Sequence, residues 1–360
     1  MDYKVREYRP GEEEQIVPLL QLIFLGWQDL DFWRWKYLDN PLKMNFIIVA
    51  ESNGKIIGTD GAVLRRVKVG DSVLLGNYGT DGGTHPDFRR IGVYKNIMNF
   101  KKELQRKAGI ELDYFGTVNP LIFEYHSKTH FTFPYFLRYL IRIRDMSLHN
   151  RMNPSESLTA HVLKLGLHAI KLLNDLRNTL SPPSANKDIK VTEISEFDDR
   201  ANTFWNEIKD HYDFIVERTR EHLNWNYCDP RGGNFTVKLA EAEGRMLGYI
   251  VLGMDETREY GRGRIIDLLT VPGNLNVADV LLEDANRFYD DNDINSVTSL
   301  VVEGHPYEMV FRRHGFLKRR RKMHVFYQCP EKDEAFARLV KGRVDTTEAG
   351  KVHLSRGDLI

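Results

Sequence analysis

Two blocks of this chain recur at a single spacing. The segment Trp35-Lys36-Tyr37-Leu38-Asp39 is echoed by Trp225-Asn226-Tyr227-Cys228-Asp229. The segment from Ala50 to Gly58, with Asn53-Gly54 inside it, is echoed by Ala240 to Gly248, with Glu243-Gly244 at the matching place. Both pairs are displaced by 190 residues. A constant displacement over two separate blocks implies duplication of a whole domain, far longer than a solenoid repeat. Each member of the later pair reads strand, tight turn, strand. Late in each half an aromatic follows a basic helix, at His130-Phe131 and Gly315-Phe316. A chain of 360 residues has room for two such domains, each with a core of its own.

The stretch from Thr84 to Tyr94 carries the chemistry. Asn77 to Thr84 reads as a strand, and Gly82-Gly83 within it marks a bulge or a close backbone approach. After the loop, Val93, Ile97, Phe100 and Leu104 form one apolar helix face, with Lys95, Asn99, Lys102 and Arg106 among the polar positions. The first N–H groups of such a helix have no intrahelical acceptor, and the macrodipole places partial positive charge there. With Arg89, Arg90 and Gly92 alongside, this is an anion cradle, most naturally for phosphate. Taken alone, the loop reads equally well as a solvated basic turn. A second strand follows from Ile110 to Val118 and ends at Asn119-Pro120. Next come a helix from Leu121 to Lys128 and the aromatic pair His130-Phe131.

Strand, phosphate loop, helix, strand, Asn, helix and closing aromatic resemble the acetyl-CoA core of the GCN5-related N-acetyltransferase (GNAT) superfamily. Its loop pattern is Arg/Gln-x-x-Gly-x-Gly/Ala. Arg89 and Gly92 match, and Tyr94 stands where a small residue is usual. The resemblance implies an α/β (α+β) fold of two tandem GNAT-like domains, each a mixed, mostly antiparallel sheet flanked by helices. It implies acetyl-CoA as donor substrate, no metal, and transfer of acetyl to a primary amine of a small molecule, such as an amino sugar or an amino-acid derivative. It assigns the pantetheine and thioester carbonyl to the backbone of Gly82, Gly83 and Thr84. The pyrophosphate falls to Arg89, Arg90, Ile91, Gly92, Val93 and Tyr94, and a strand end or pantetheine amide to Asn119.

Proton handling follows the same resemblance. Many family members carry a tyrosine general acid seven positions beyond the Asn. Counting from Asn119 gives His126, with Tyr125 beside it. Asp81, just before the glycines, is a candidate general base and reads equally as a sheet-edge carboxylate. Glu124 and Asp113 are weaker candidates. Two other functions stay open: a Fem-type aminoacyl transferase on the same duplicated fold, and a non-catalytic acyl-CoA-binding module. A tRNA donor needs no pyrophosphate cradle, which weighs against the first.

The second half differs where the cradle should be. Ile265 to Leu275 supplies the strand but neither the arginine pair nor the Gly-x-aromatic turn, and a helix from Val277 to Tyr289 still follows. The expected organisation is therefore a GNAT-like domain with the acyl-CoA site at 1–145, a helical connector and linker at 146–187, a degenerate GNAT-like domain at 188–330 and a charged tail at 331–360. The connector includes a helix from Ser157 to Leu180 and the Ser181-Pro182-Pro183-Ser184 linker. The tail reads as a charged helix followed by a polar, disordered end. Trp33, Trp35, Tyr37, Trp225 and Tyr227 read as core, because they recur in a half without the cradle. The formal net charge is zero, so no global field recruits nucleic acid or membrane. The basic run from Lys318 to Lys322 reads as a solvated strand end. Cys228 and Cys329 lack metal spacing, and with no signal peptide they point to a reducing cytoplasm. No apolar run is long enough to span a bilayer. The oligomeric state stays open.

Overall fold

Among the described residues, fifteen strands join into one sheet that runs through both halves of the chain. The structure is a computed structural model, and it describes residues 2–44, 46–152, 188–255, 260–330 and 334–359. The expected connector helix from Ser157 to Leu180 lies outside the described residues. The first half contributes β1 (Lys4–Glu7), β2 (Phe46–Ser52), β3 (Lys55–Val69), β4 (Ser72–Thr84), β5 (Leu112–Thr117), β6 (Phe131–Thr132) and β7 (Leu137–Ile143). The second contributes β8 (Lys190–Ile194), β9 (Phe214–Val216), β10 (Phe235–Ala242), β11 (Arg245–Asp255), β12 (Arg262–Thr270), β13 (Ser296–Val302) and β14 (Leu317–Gln328). The tail adds β15 (Val352–His353). Pairing is mostly antiparallel, with parallel contacts at β4–β5, β12–β13 and β15–β9. The two tight turns foreseen from the repeated blocks are present. Asn53-Gly54 and Glu243-Gly244 all take positive φ, as a two-residue hairpin turn with the twist of its strands requires.

Helices cover both faces. In the first half, α1 (Glu13–Ile23) and α2 (Leu30–Tyr37) bury Leu20, Trp33 and Tyr37 against one face of the sheet. On the other face, α3 (Val93–Lys107) packs Val93 and Ile97 onto Ile48, Ala50 and Ile57. The apolar face predicted from Val93 and Ile97 is therefore the one that is buried. A short helix, α4 (Pro120–His126), follows β5.

The halves are not closed units, because they exchange strands. The end of β14 pairs with β5, from His324 opposite Thr117 to Gln328 opposite Asp113. Meanwhile β7, which precedes the connector, pairs along the whole of β13, from Leu137 opposite Val302 to Ile143 opposite Ser296. So the last strand of the second half completes the sheet of the first, and the last strand of the first completes that of the second. The contiguous ranges 1–145 and 188–330 describe chain order, while the hydrogen bonds run across them.

A reciprocal contact mirrors this exchange. The Trp35 indole N–H donates to the Trp225 carbonyl at 2.8 Å, and the Trp225 indole N–H donates to the Trp35 carbonyl at 3.1 Å. The rings stack with centroids 4.9 Å apart. Such a contact, in which each residue does to the other what is done to it, is the signature of a two-fold relation.

The tail departs from expectation. A helix forms over Glu334–Thr346 as predicted, but the stretch after it is ordered and buried rather than polar and loose. Val352 and Leu354 join the core with Val67, Tyr114 and Val325. Asp358 is fully buried and ion-paired with Arg218 at 2.8 Å. Alternating apolar residues in a short polar stretch supplied the strand, and a buried partner removed the need to solvate the charge.

The tryptophan pair yields a stability test. Trp225→Ala should cost about 3–5 kcal/mol in chemical denaturation. Trp35→Ala should cost a similar amount, and the double variant clearly less than the sum, because both remove one contact. Additive costs would show that the two indoles act independently.

Candidate functional site

The site begins where two strands part. β4 and β5 are paired only from Gly76–Leu112 to Tyr78–Tyr114. Beyond that the ladder stops, and the β5-facing backbone groups of residues 79–84 border a gap. On its other side β4 stays paired with β3, but with a break in register: Gly61 lies opposite Thr80 and Thr59 opposite Gly83. Asp81 and Gly82 thus share the space opposite Asp60, and Asp81 takes φ +55°. The bulge falls one residue earlier than the Gly82-Gly83 pair suggested. Glycine is needed there for space: a Cβ on Gly82 would lie 2.5 Å from Asp60 Oδ1, and one on Gly83 2.9 Å from Ile23.

The loop after β4 carries a turn at Pro86–Phe88 and then α3. Gly92 caps that helix with φ +89° and brings no side chain to its N–H groups. The first-turn amides therefore face outward without an intrahelical acceptor. Arg90 and Ile91 are exposed, as an anion cradle requires. Arg89 donates from Nε to the Thr84 carbonyl at 3.2 Å, bracing the strand end. The Val93 side chain is buried in the core, so this residue offers only its backbone. Tyr94 turns inward. Its ring lies 3.3 Å from where a Gly82 Cβ would be, and 6.3 Å from the Tyr125 ring. Burial and the nearby Asp60 raise the Tyr94 pKa, so its hydroxyl stays protonated.

Beneath β4 sits an ion pair that the sequence reading missed. Lys101 Nζ lies 2.9 Å from Asp60 Oδ2, and both side chains are buried. Burial opposes the charge on Lys101, but Asp60 and Asp113 outweigh it and raise its pKa. A lysine four residues after Ile97, on the apolar face of α3, was the signal available. Asp113 is itself held by Asn77 and Gln328, which makes it part of the scaffold. Glu124 is exposed beside Lys128.

Asp81 is an engaged carboxylate. It accepts from Lys36 Nζ at 2.8 Å and from the Tyr37 hydroxyl at 2.6 Å. Burial alone would raise its pKa. The Lys36 charge and these hydrogen bonds outweigh that and hold the carboxyl below its ordinary range. A base that takes a proton near neutral pH needs a pKa near neutral pH, and Asp81 moves the other way. The second half carries the same pair: the Tyr227 hydroxyl donates to Asp267 at 2.7 Å. A tyrosine–aspartate bond present in both halves belongs to the way each bulged strand is held.

The α4 candidates separate. Asn119 caps the helix, accepting from the Leu121 N–H at 3.0 Å. Tyr125 is exposed and faces Tyr94, on the loop side. His126 is buried among Phe115, His130 and Phe326, with its Nδ1 3.3 Å from that of His130. Burial pushes both histidines down to about 4. His126 is therefore neutral at physiological pH and packed against Phe115, whereas Tyr125 is exposed on the loop side.

The corresponding place in the second half is shut. β12 and β13 pair only from Arg262–Ser296 to Arg264–Thr298 and then part, as β4 and β5 do. Here the opening is filled. Tyr307 accepts the Thr270 N–H at 2.9 Å, and His353 of the tail meets Asp267 at 2.9 Å. Val352 to Ser355 line what is left, a cavity of about 20 Å³, room for one water. Among the described residues there is no metal-binding cluster of His, Cys, Asp and Glu, and no helix long and apolar enough to cross a membrane.

This geometry has relatives. Residues 4–120, about a third of the chain, match the family model of the acetyltransferase (GNAT) domain. No curated protein matches the chain. Solved structures match over nearly all of it at low identity. A GCN5-related N-acetyltransferase from Anabaena variabilis is 11% identical with a TM-score of 0.60, covering 92% of this chain and 73% of its own. A probable N-acyltransferase from Enterococcus faecalis is 9% identical with a TM-score of 0.62 and the same coverage. The N-myristoyltransferase of Saccharomyces cerevisiae, solved with myristoyl-CoA, is 11% identical with a TM-score of 0.61, covering 90% and 82%. These share the fold across both halves.

The histidine pair makes a pH prediction. Its folded pKa of about 4 lies below the ordinary 6.5, so the unfolded chain binds more protons between those values. Stability should fall as pH drops from about 6.5 toward 4. NMR titration should place the His126 midpoint near 4. A midpoint near 6.5 would mean the ring is solvated.

Proposed function

We infer that this protein is an acyl-CoA-dependent N-acyltransferase whose donor binds in the first half. The carrying observation is the pairing of an open, bulged β4–β5 gap with a bare helix N-terminus at Gly92. The first suits a pantetheine arm and a thioester carbonyl, the second a pyrophosphate. The second half, read as a degenerate copy, keeps the parted strands but fills them with Tyr307 and the tail.

The reaction is direct attack. The acceptor amine adds to the thioester carbonyl, and free N–H groups of the bulged strand stabilise the oxyanion. The C–N bond forms and the C–S bond breaks. The amine's proton leaves to water, and the Tyr125 hydroxyl protonates the departing thiolate before recovering a proton from solvent. Asp81 stays ionised and holds the bulge through Lys36 and Tyr37. Tyr94 and Ile23 crowd the gap, which favours a short acyl group such as acetyl and a small primary amine as acceptor.

Two experiments test this reading. Titration calorimetry with CoA should give a stoichiometry near one, and Gly92→Val should weaken binding about tenfold or more, since a β-branched residue is strained at positive φ. Two equivalent sites, or unchanged affinity in Gly92→Val, would overturn the cradle. In a free-thiol assay over a panel of amines, Tyr125→Phe should lower kcat about 10²-fold with CoA affinity unchanged, while His126→Phe keeps its turnover. Saturable CoA binding with no turnover on any amine would leave a binding module instead.

A further inference from the structure

The basic run near residue 320 reads in sequence as a solvated strand end, and its setting in the fold says more. Opposite β7 the strand β14 loops out: Lys318 faces Leu140 and Lys322 faces Arg138, so the three arginines 319–321 stand against the single residue Tyr139. Arg321 places its guanidinium 5.2 Å from the centre of the Tyr139 ring. The turn at Arg356–Leu359 packs on β12, which carries Arg264. The Arg356 Nε is buried with no hydrogen-bond partner. Arg264 reaches no nearer than 3.9 Å to Asp255. Among the described residues, Arg321 and Arg356 have no carboxylate within ion-pair distance. Burial lowers the Arg356 pKa, and Arg264 and Arg321 lower it further despite Tyr139. Two cations without a counter-charge are thus gathered with a third, Arg264, whose carboxylate partner stands at the limit of ion-pair distance. That arrangement is costly unless an anion completes it.

The position of the cluster says which anion. Arg356 opens a single tight turn whose end lies at the mouth of the β4–β5 gap. The Tyr78 hydroxyl donates to the Leu359 carbonyl at 3.1 Å, and the Leu359 side chain lies 3.6 Å from where a Cβ on Gly116 of β5 would be. Met323, two residues after Arg321, touches the same glycine. Tyr78, Tyr114 and the tail lie on the sheet face opposite α3. The donor's phosphates belong to the α3 end, so this other face is where an amine approaches.

We propose that Arg264, Arg321 and Arg356 form an anion-binding subsite on the acceptor side of the gap, and that the acceptor amine carries a carboxylate or phosphate held there. The inference rests on the acyltransferase reading for the word acceptor, but the subsite can be tested without turnover.

The first arm uses the full chain saturated with CoA, so that the phosphate cradle is filled, and titrates inorganic phosphate by calorimetry. Binding should be detectable, and Arg321→Ala and Arg264→Gln, both at exposed or half-exposed positions, should each weaken it about tenfold. The second arm compares matched acceptors, glycine against glycinamide and 2-aminoethyl phosphate against ethanolamine. The charged member of at least one pair should have the lower KM, and the pair that shows it identifies carboxylate or phosphate. Arg321→Ala should raise that KM about tenfold with kcat nearly unchanged, and should leave the neutral member alone. Absence of phosphate binding, or binding indifferent to both variants, would overturn the subsite. Equal KM values within both pairs would overturn its assignment to the acceptor. So would competition for the site by anionic vesicles or an RNA oligonucleotide at lower concentration than any of these amines. Turnover with no amine alongside arginine-dependent phosphate binding would instead sink the function and keep the subsite.

Discussion

The reciprocal bond between Trp35 and Trp225 organises much of what surrounds it. Each indole is tied to the other's main chain, so α2 and the turn at Asn224–Cys228 are fixed against each other across the middle of the molecule. Two residues beyond each tryptophan comes the tyrosine that holds an aspartate of the central strands, Tyr37 for Asp81 and Tyr227 for Asp267. Gly232 lets the Trp35 ring lie against the backbone, since a Cβ there would come within 2.4 Å of it. Arg65 closes the assembly, with its guanidinium 5.8 Å from the centre of the Trp225 ring and a hydrogen bond to the Gly357 carbonyl. The gap in the first half and the filled opening in the second are therefore referenced to one contact.

From that shared frame the halves diverge by what occupies the parted strands. In the first, glycines at 82, 83 and 92 leave room and the loop leaves amides bare. In the second, Thr270, Tyr307 and His353 supply hydrogen-bond partners from within the chain, and Val271-Pro272-Gly273-Asn274 makes a turn without arginines. The difference is one of polar satisfaction. Where the second half buries these backbone groups it also pairs them, since buried unpaired groups are costly.

Much of this was legible in the sequence, and for identifiable reasons. The displaced blocks expose the two-fold relation because Trp, Tyr and Gly positions tolerate few substitutes in a packed core. The apolar face of α3 and the bare turn before it follow from spacing and from glycine. The strand exchange was not legible. Leu137–Ile143 is an apolar run with arginines at 138 and 142, and nothing in it names the half it pairs with. The buried tail was hidden by its polar letters, because Asp358 looks solvated until Arg218 is seen beside it. Asp81 reads equally as a candidate base and as a sheet-edge carboxylate, since nothing local announces Lys36 and Tyr37, 45 and 44 residues away.

Exchanged strands also change what happens as the chain is made. β5 cannot gain its neighbour until β14 has been synthesised, and the pairing of Tyr114 with Tyr327 closes a loop of some two hundred residues. A ribosome-bound chain that has reached the connector therefore presents an unfinished sheet with an open edge at β5, the edge nearest the place where β4 and β5 part. Late, long-range closure of this kind is slow, and it leaves strand edges exposed in the meantime. The sheet of the first half is thus completed only after β14 has been made. Such nascent chains are natural clients for chaperones that shield sheet edges.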